Sequence, residues 1–234
     1  MNAEVSAPVT PSEEELQNLL DYFSKHREEF ELFRKQVADF FLISQSFHAH
    51  PLPVVHSIKS RIKDTEHLRE KIRRKWPDGA LTTENIFNRI TDIAGVRVIH
   101  LHSKQFEEIH KGIQSRLDEG YWSLHEPPVA YSWDPEATSY FLSLGLDAIT
   151  RDSYYTSIHY VVKPQPGAFL TCEIQVRTLF EEAWGEIDHC LNYPKKTDSL
   201  ACREQLRVLA KLASTGTRLA DSIFAVAESE RSAE

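Results

Sequence analysis

The sequence predicts an α/β (α+β) fold, a mixed β-sheet flanked by helices, and three patterns carry that prediction. "CEIQVRT" at 172–178 alternates Cys172, Ile174 and Val176 with Glu173, Gln175 and Arg177, the period-two signature of a strand with one apolar and one polar face. "TDIAGVRVIHL" is almost continuously apolar from Ile93 to Leu101, as a strand buried in a sheet is. Around these runs, several stretches space their apolar residues at three- and four-residue steps, the helical period.

Taken in order, "MNAEVSAPVTPS" is small, polar and proline-containing and reads as a disordered lead. Ser12 with Glu15 forms a capping-box signature, and the apolar positions from there to Gln45 read as one long helix or two, ended by Pro51 and Pro53. "PVVHSIKSRIK" reads as a strand. "DTEHLREKIRRKW" is a helix with Lys71, Arg73, Arg74 and Lys75 on its exposed side, and "TTENIFNRI" a short helix before the buried strand, which has Asp92 at its mouth. "SKQFEEIHKGIQSRLDEG" is an amphipathic helix with Ser103 as cap and Gly120 as stop. The stretch from Tyr121 to Leu144, with Pro127, Pro128 and Pro135, reads as irregular. "SYYTSIHYVV" and "AFLTCEIQV" are strands joined through "KPQPG" as a hairpin. Thr178 and Glu181 cap "LFEEAWGEIDHCLNY", whose Phe180, Trp184 and Ile187 form an apolar stripe expected in the core. "SLACREQLRVLAKLASTGTRLADSIFAVAESE" is a long amphipathic helix. The organisation expected is a lead with an N-terminal helical segment over 1–50, a body over 51–197 and a C-terminal helix over 198–234.

Composition narrows the chemistry. With 41% hydrophobic and 10% aromatic residues, the 234-residue chain has enough apolar surface for a core. A net charge of −8 opposes a protein that coats nucleic acid by general basicity, so any polyanion must be met by a local cluster of Lys and Arg. The three cysteines lack zinc-knuckle spacing, and no leader-like or spanning apolar run stands near the N-terminus; a cytoplasmic protein without a membrane segment is expected. Walker, dinucleotide-fingerprint and zincin motifs are absent. With only 8 glycines, phosphates must be held by side chains, and Arg61, Lys63, Lys71 and Arg74 supply them in a short span. Asp92 and Glu173 are the obvious pair for Mg²⁺, although two acids among 35 say little, and a solvated sheet face explains Glu173, Gln175 and Arg177 equally well.

"SRIK", "DIAGVRV", "RDSYYTSIH", "EIQVRT" and "WGEIDHCLNY", in this order and at these separations, closely resemble the synthetase domain of RelA/SpoT-type alarmone synthetases, especially the small stand-alone ones. The resemblance covers about residues 53–195. It implies a nucleotidyltransferase-related synthetase fold and transfer of the β,γ-pyrophosphate of ATP to the 3′-hydroxyl of GDP or GTP, giving (p)ppGpp, with Mg²⁺ as cofactor, ATP and GDP/GTP as partners and a homo-oligomer as the assembly. It implies that Asp92 and Glu173 are catalytic and bind the metal, that Arg61 and Arg97 sandwich adenine, and that Lys63, Lys71 and Arg74 contact the ATP phosphates. For the acceptor nucleotide it implies Arg151, Tyr155, His159, Gln175 and Asp188, with Tyr155 stacking on guanine and Arg177 tying the strand to neighbouring loops.

The acceptor loop departs from the family pattern Lys-x-x-Gly-Tyr-Arg-Ser-x-His. Arg151 replaces the lysine, Tyr154 the glycine and Thr156 the arginine, and a tyrosine at the glycine position opposes a positive φ. Two alternatives therefore stand beside the leading one: a toxin-like relative acting on adenosine nucleotides or the tRNA 3′ end, with RNA as partner only in that case, and a nucleotide-sensing protein that no longer transfers. No His-Asp metal motif precedes the domain, so alarmone hydrolysis is not expected.

Overall fold

The computed structural model describes residues 10–48, 52–192 and 195–233. Ser12 and Glu15 close the capping box, each accepting from the other's backbone N–H at 3.2 and 2.8 Å, and start α1 (Glu13–Ile43), one uninterrupted helix. It stops at Ser44, well before the expected prolines, of which Pro51 lies outside the described residues. There follow β1 (Ser57–Ile62), α2 (Thr65–Lys75), α3 (Ile86–Arg89), β2 (Ala94–His100), α4 (Gln105–Asp118), β3 (Ser123–Tyr131), α5 (Pro135–Ser143), β4 (Asp147–Ile149), β5 (Ser157–Lys163), β6 (Cys172–Thr178), α6 (Leu179–Asn192) and α7 (Leu200–Ala233). The strands form one mixed sheet in the order β1-β2-β6-β5-β3-β4, with β2/β6 and β3/β4 parallel and the other pairs antiparallel.

The alternation read in the sequence becomes two chemically distinct faces. Val96, Val98, Ile158, Tyr160, Val162, Cys172, Ile174 and Val176 are buried on one side, in the same core as Leu16, Phe23, Phe30 and Phe41 of α1 and Phe106, Ile109 and Ile113 of α4. Burial of this kind is worth about 1.5–3 kcal/mol per large side chain, so the core fixes the register and leaves the opposite face to polar residues.

Four local expectations are corrected. Ser103 is not the cap of α4; Lys104 is, and its backbone N–H donates to Asp221 of α7 at 3.3 Å, so a distant carboxylate serves the helix start. The stretch from Tyr121 to Leu144 holds β3 and α5. Pro127 and Pro128 lie within the register shift of β3 between Glu126 and Val129, because a residue without an N–H interrupts the ladder, and α5 opens at Pro135 behind Asp134, which accepts from the Glu136 and Ala137 amides. "SYYTSIHYVV" joins the sheet only at Ser157, since Tyr154 turns to φ 63. Of the apolar stripe on α6, Trp184 is buried with its indole N–H donating to Leu206 O at 2.8 Å, but Ile187 is exposed and Phe180 is only partly covered, its ring lying against Gly216 of α7.

Candidate active site

The polar face of the central strands floors a cleft of about 950 Å³, walled by α6, the start of α7 and the loop before β5. Register does the assembling. Gly95 lies between Arg61 and Glu173, and Arg97, Gln175 and His159 form one cross-strand row over β2, β6 and β5. Glycine at 95 leaves room above the floor between Arg61 and Glu173. Arg61, Lys71, Arg74, Asp92, Arg97, Arg151, Tyr155, His159, Glu173, Gln175 and Asp188 all line this cleft. Lys63 is the exception among the expected residues: it is buried, with its ammonium 3.1 Å from Asp92 Oδ2.

Asp92 stands just before β2, where Lys71 also reaches its Oδ2, at 2.6 Å. Burial opposes its ionisation, but the Lys63 and Lys71 ammoniums outweigh that and hold its carboxyl below the usual range. Its other oxygen, Oδ1, is buried with no hydrogen-bond partner. A buried anionic oxygen without a donor fits a cation, so the residues present suit a divalent metal. No group of three or more His, Cys, Asp or Glu side chains that could hold a metal ion exists among the described residues.

Glu173 is held from both sides: His159 Nδ1 lies 3.2 Å from Oε1, and Gln175 Nε2 donates to Oε2 at 2.6 Å. Burial would raise its pKa, yet the His159 hydrogen bond and charge take it below the ordinary value. The chain of contacts continues. Tyr155 Oη is 2.9 Å from His159 Nε2 and accepts from Arg177 Nη2 at 2.9 Å. A guanidinium only donates and a carboxylate only accepts, so Arg177 donates to Tyr155 and His159 Nδ1–H donates to Glu173. Arg177 is buried and also bonds Gln175 Oε1, while Glu182 Oε2 lies 3.4 Å away. Gly185 permits this, because a Cβ there would stand 2.7 Å from Arg177 Nη1.

Glu182 is a site residue that the sequence reading passed over. It is buried at the start of α6 and engages Lys59 at 2.8 Å and Arg97 at 3.2 Å as well as Arg177. Burial again opposes ionisation, and Lys59, Arg177 and Arg97 together keep its pKa low. Arg97 also bonds Glu186. Both carboxylates bind guanidinium N–H groups, which lie in the guanidinium plane, so its flat faces are not consumed by the ion pairs.

Tyr131, at the end of β3, was hidden in the stretch read as irregular. Its ring meets His159 edge-on at 4.9 Å and carries the Arg151 guanidinium 3.9 Å from its centroid. Lys196 and, from α7, Arg203 and Arg207 complete the cleft; the four-residue step from Arg203 to Arg207 to Lys211 was the available signal. Tyr154 corrects the expectation that tyrosine would avoid a positive φ. It adopts φ 63 with its ring stacked on Trp133 at 4.9 Å and Arg207 over it at 5.6 Å. A stack worth about 0.5–1.5 kcal/mol offsets part of a backbone cost of about 1–3 kcal/mol.

Comparison with known proteins places this geometry. The profile described as "Region found in RelA / SpoT proteins" matches residues 60–198. GTP pyrophosphokinase YwaC of Bacillus subtilis (strain 168) is 27% identical over 177 residues, 68% of this chain and 69% of that protein. The crystal structure of small alarmone synthetase 1 from Bacillus subtilis superposes with a TM-score of 0.68 at 18% identity, over 89% of this chain and 99% of the other. The same enzyme bound to its product pppGpp gives a TM-score of 0.65 at 17% identity, over 91% and 99%. A GTP pyrophosphokinase family protein from Streptococcus pneumoniae gives 0.61 at 18% identity, over 91% and 94%.

Proposed function

The chain belongs to the RelA/SpoT family, and on that premise we propose that it moves the β,γ-pyrophosphate of ATP to the 3′-hydroxyl of GDP or GTP, making (p)ppGpp. The observation that carries this reading is Glu173, an ionised carboxylate fixed between His159 and Gln175 on the cleft floor, with Asp92 and a set of cations on one side and an aromatic platform on the other.

In the reaction the acceptor's 3′-oxygen bonds to the β-phosphorus, the bond from that phosphorus to the bridging oxygen of the α-phosphate breaks, and AMP departs with the bridging oxygen. Glu173 accepts the hydroxyl's hydrogen bond and then its proton, and the Arg177–Tyr155–His159 chain keeps that carboxylate aimed. Lys71 and Arg74 meet the phosphates, with Lys63 as the buried counter-charge that keeps Asp92 ionised. Arg61 and Arg97 offer planar faces to adenine, Arg97 being held edge-on by Glu182 and Glu186. Tyr155 and Tyr131 present rings to the acceptor base, Asp188 a carboxylate to its edge, and Arg151, Arg203 and Arg207 positive charge to its phosphates. Mg²⁺, held by Asp92 and Glu173 with phosphate oxygens, would supply charge neutralisation at the transferred group.

The division into a synthetase body over 51–197 with helical extensions, the cytoplasmic location and a homo-oligomer belong to the same proposal. No helix among the described residues is long and apolar enough to cross a membrane, and the exposed Leu212, Leu219, Ile223 and Val226 along α7 favour an assembly. The test is purified protein with γ-labelled ATP and a panel of acceptors. Label on GDP or GTP with release of AMP is expected. Label on an adenosine nucleotide or on tRNA would replace this reading with the toxin-like one, and label on nothing, with ATP still bound, would replace it with a sensor.

A further inference from the structure

One side of α7 grips both the loop before β5 and the turn before α5. Arg207, Lys211, Ser214 and Arg218 follow one another at steps of four, three and four, which puts them on one face of the helix. Arg207 Nε donates to Asp152 O at 3.2 Å, and its guanidinium stands 5.6 Å from the centroid of the Tyr154 ring, with the Lys211 ammonium at 5.9 Å. Further along, Ser214 Oγ donates to Asp134 Oδ2 at 2.6 Å, Arg218 Nη2 lies 3.2 Å from the same oxygen, and Arg218 Nη1 donates to Glu136 Oε2 at 3.0 Å. Asp134 follows Trp133, whose ring lies nearly parallel to that of Tyr154, with 17° between the planes and 4.9 Å between the centroids. The helix therefore holds both halves of one stack, Trp133 through its neighbour Asp134 and Tyr154 directly.

We propose that Arg207 is a positioning residue for the acceptor: by fixing the turn at Tyr154 it sets how Arg151 and Tyr155 are presented in the reaction cleft. This rests on the transfer reaction proposed above. Tyr154 is the one non-glycine residue at positive φ among the described residues, and a tyrosine stays in that region when its surroundings hold it there. Its backbone N–H donates to Arg151 O at 2.9 Å, so the turn ties Arg151 to Tyr155. Both line the cleft, where Arg151 lies over the Tyr131 ring and Tyr155 bonds His159. A shift of the turn is therefore a shift of the acceptor platform. The donor-side Arg61 and Arg97 stand on β1 and β2, across β6 from β5, and are expected to be spared.

Most of the Arg207 guanidinium is spent inside the protein. Nε is bound to Asp152 O and Nη1 lies 2.9 Å from Glu204 Oε1, whereas Arg203 and Lys196 line the same cleft with no carboxylate at salt-bridge distance among the described residues and can serve phosphate alone. The arrangement also gives a physical reason for tyrosine standing where the family pattern has glycine. Glycine would make the turn freely but offers no ring, while tyrosine gives Trp133 and α7 a surface to hold. The family match ends at residue 198 and α7 begins at Leu200, so the residue that is held lies inside the matched region and the helix that holds it lies beyond.

The test is a double-mutant cycle in the transfer assay on the full chain, with near-ultraviolet circular dichroism of the free protein beside it. Arg207→Ala is expected to raise the apparent constant for GDP about tenfold and to leave that for ATP unchanged; Arg207→Met takes its place if Arg207→Ala does not fold. In a Tyr154→Gly background, where no ring is left to hold, the same change is expected to cost about threefold or less. The dichroism band of the Trp133–Tyr154 stack, assigned as the part of the spectrum lost in Trp133→Phe, is expected to weaken in Arg207→Ala. An unchanged GDP constant, an equal rise in both constants, or a stack band untouched by the Arg207 change would overturn the proposal. So would a tenfold effect that persists in the Tyr154→Gly background, which would make Arg207 a phosphate contact alone. A wild-type protein that transfers nothing to GDP would refute the proposed reaction instead, and the dichroism would still decide whether Arg207 fixes the turn.

Discussion

Replacing Glu182 with Gln isolates the charge that organises the middle of the site. The carboxylate is 4% exposed and has three cationic neighbours, which do not count equally. Lys59 is 56% exposed and solvent takes over its charge, so its loss is worth under about 1 kcal/mol. Arg97 is 23% exposed and keeps Glu186, so it too loses only part of its stabilisation. Arg177 is 3% exposed and has no second carboxylate within salt-bridge distance among the described residues. Removing one member of such a buried pair costs about 3–5 kcal/mol, and because Gln retains an oxygen acceptor the low end, about 3 kcal/mol, is expected. For a chain of this length that is a fall in Tm of about 6–12 °C.

The pH dependence separates charge from shape. Glu182 has a folded pKa below its unfolded one, so its stabilisation is fully present above the unfolded carboxylate value, about 4.3, and is lost as pH falls through the folded value. The gap in Tm between wild type and Glu182→Gln is therefore expected at pH 7 and should narrow progressively as pH falls below about 4.3. Calorimetric unfolding of both proteins across that range is the assay. Equal Tm at pH 7, or a gap that persists unchanged in acid, would refute the assignment of Glu182 as the counter-charge of Arg177.

Four other expectations are open to measurement. Glu173→Gln should lower transfer ~10²-fold or more with little change in Tm, whereas Asp92→Asn should lose as much activity and also stability, because Lys63 would be left buried without its carboxylate; full activity in either variant would refute the pair. Arg61→Ala should raise the apparent constant for ATP by roughly 5–30-fold, the equivalent of about 1–2 kcal/mol, and leave the acceptor's unchanged; equal effects on both would refute adenine stacking. Tyr155→Phe keeps the ring but breaks the hydrogen-bond chain to Glu173, so initial rates at saturating substrates should fall by about tenfold with both apparent constants little changed, and an unaltered rate would refute the chain. Tyr154→Gly exchanges the Trp133 stack for relief of the positive φ and should leave Tm near wild type, while Tyr154→Ala loses the stack and keeps the φ and should cost about 1–2 kcal/mol in denaturant unfolding; the reverse order would refute the balance.

The parts of the cleft that were legible in the sequence share a physical property: each is fixed by short-range rules. Glu173 and Gln175 share a face because a strand alternates, Lys71 and Arg74 neighbour each other because a helix turns every 3.6 residues, and Asp92 sits at a strand mouth because the apolar run begins at Ile93. Family motifs built on those rules then brought them into one place. What escaped was fixed at long range. Tyr131 was obscured because two prolines break the alternation of β3, and only pairing with β5 restores its face. Glu182 looks like any acid in a first helical turn, favoured by the helix dipole and solvated, until Gly185 opens the gap through which Arg177 arrives from β6. Ser103 lost its capping role to Asp221, more than a hundred residues away. Tyr154 shows the same competition within a single residue. The local rule that reserves positive φ for glycine is worth about 1–3 kcal/mol, and a stack on Trp133 together with cations from α7 above it is of the same order. Where the two terms are that close, the backbone of the acceptor loop is decided by which helix packs over it, and no reading of nine consecutive residues can supply that.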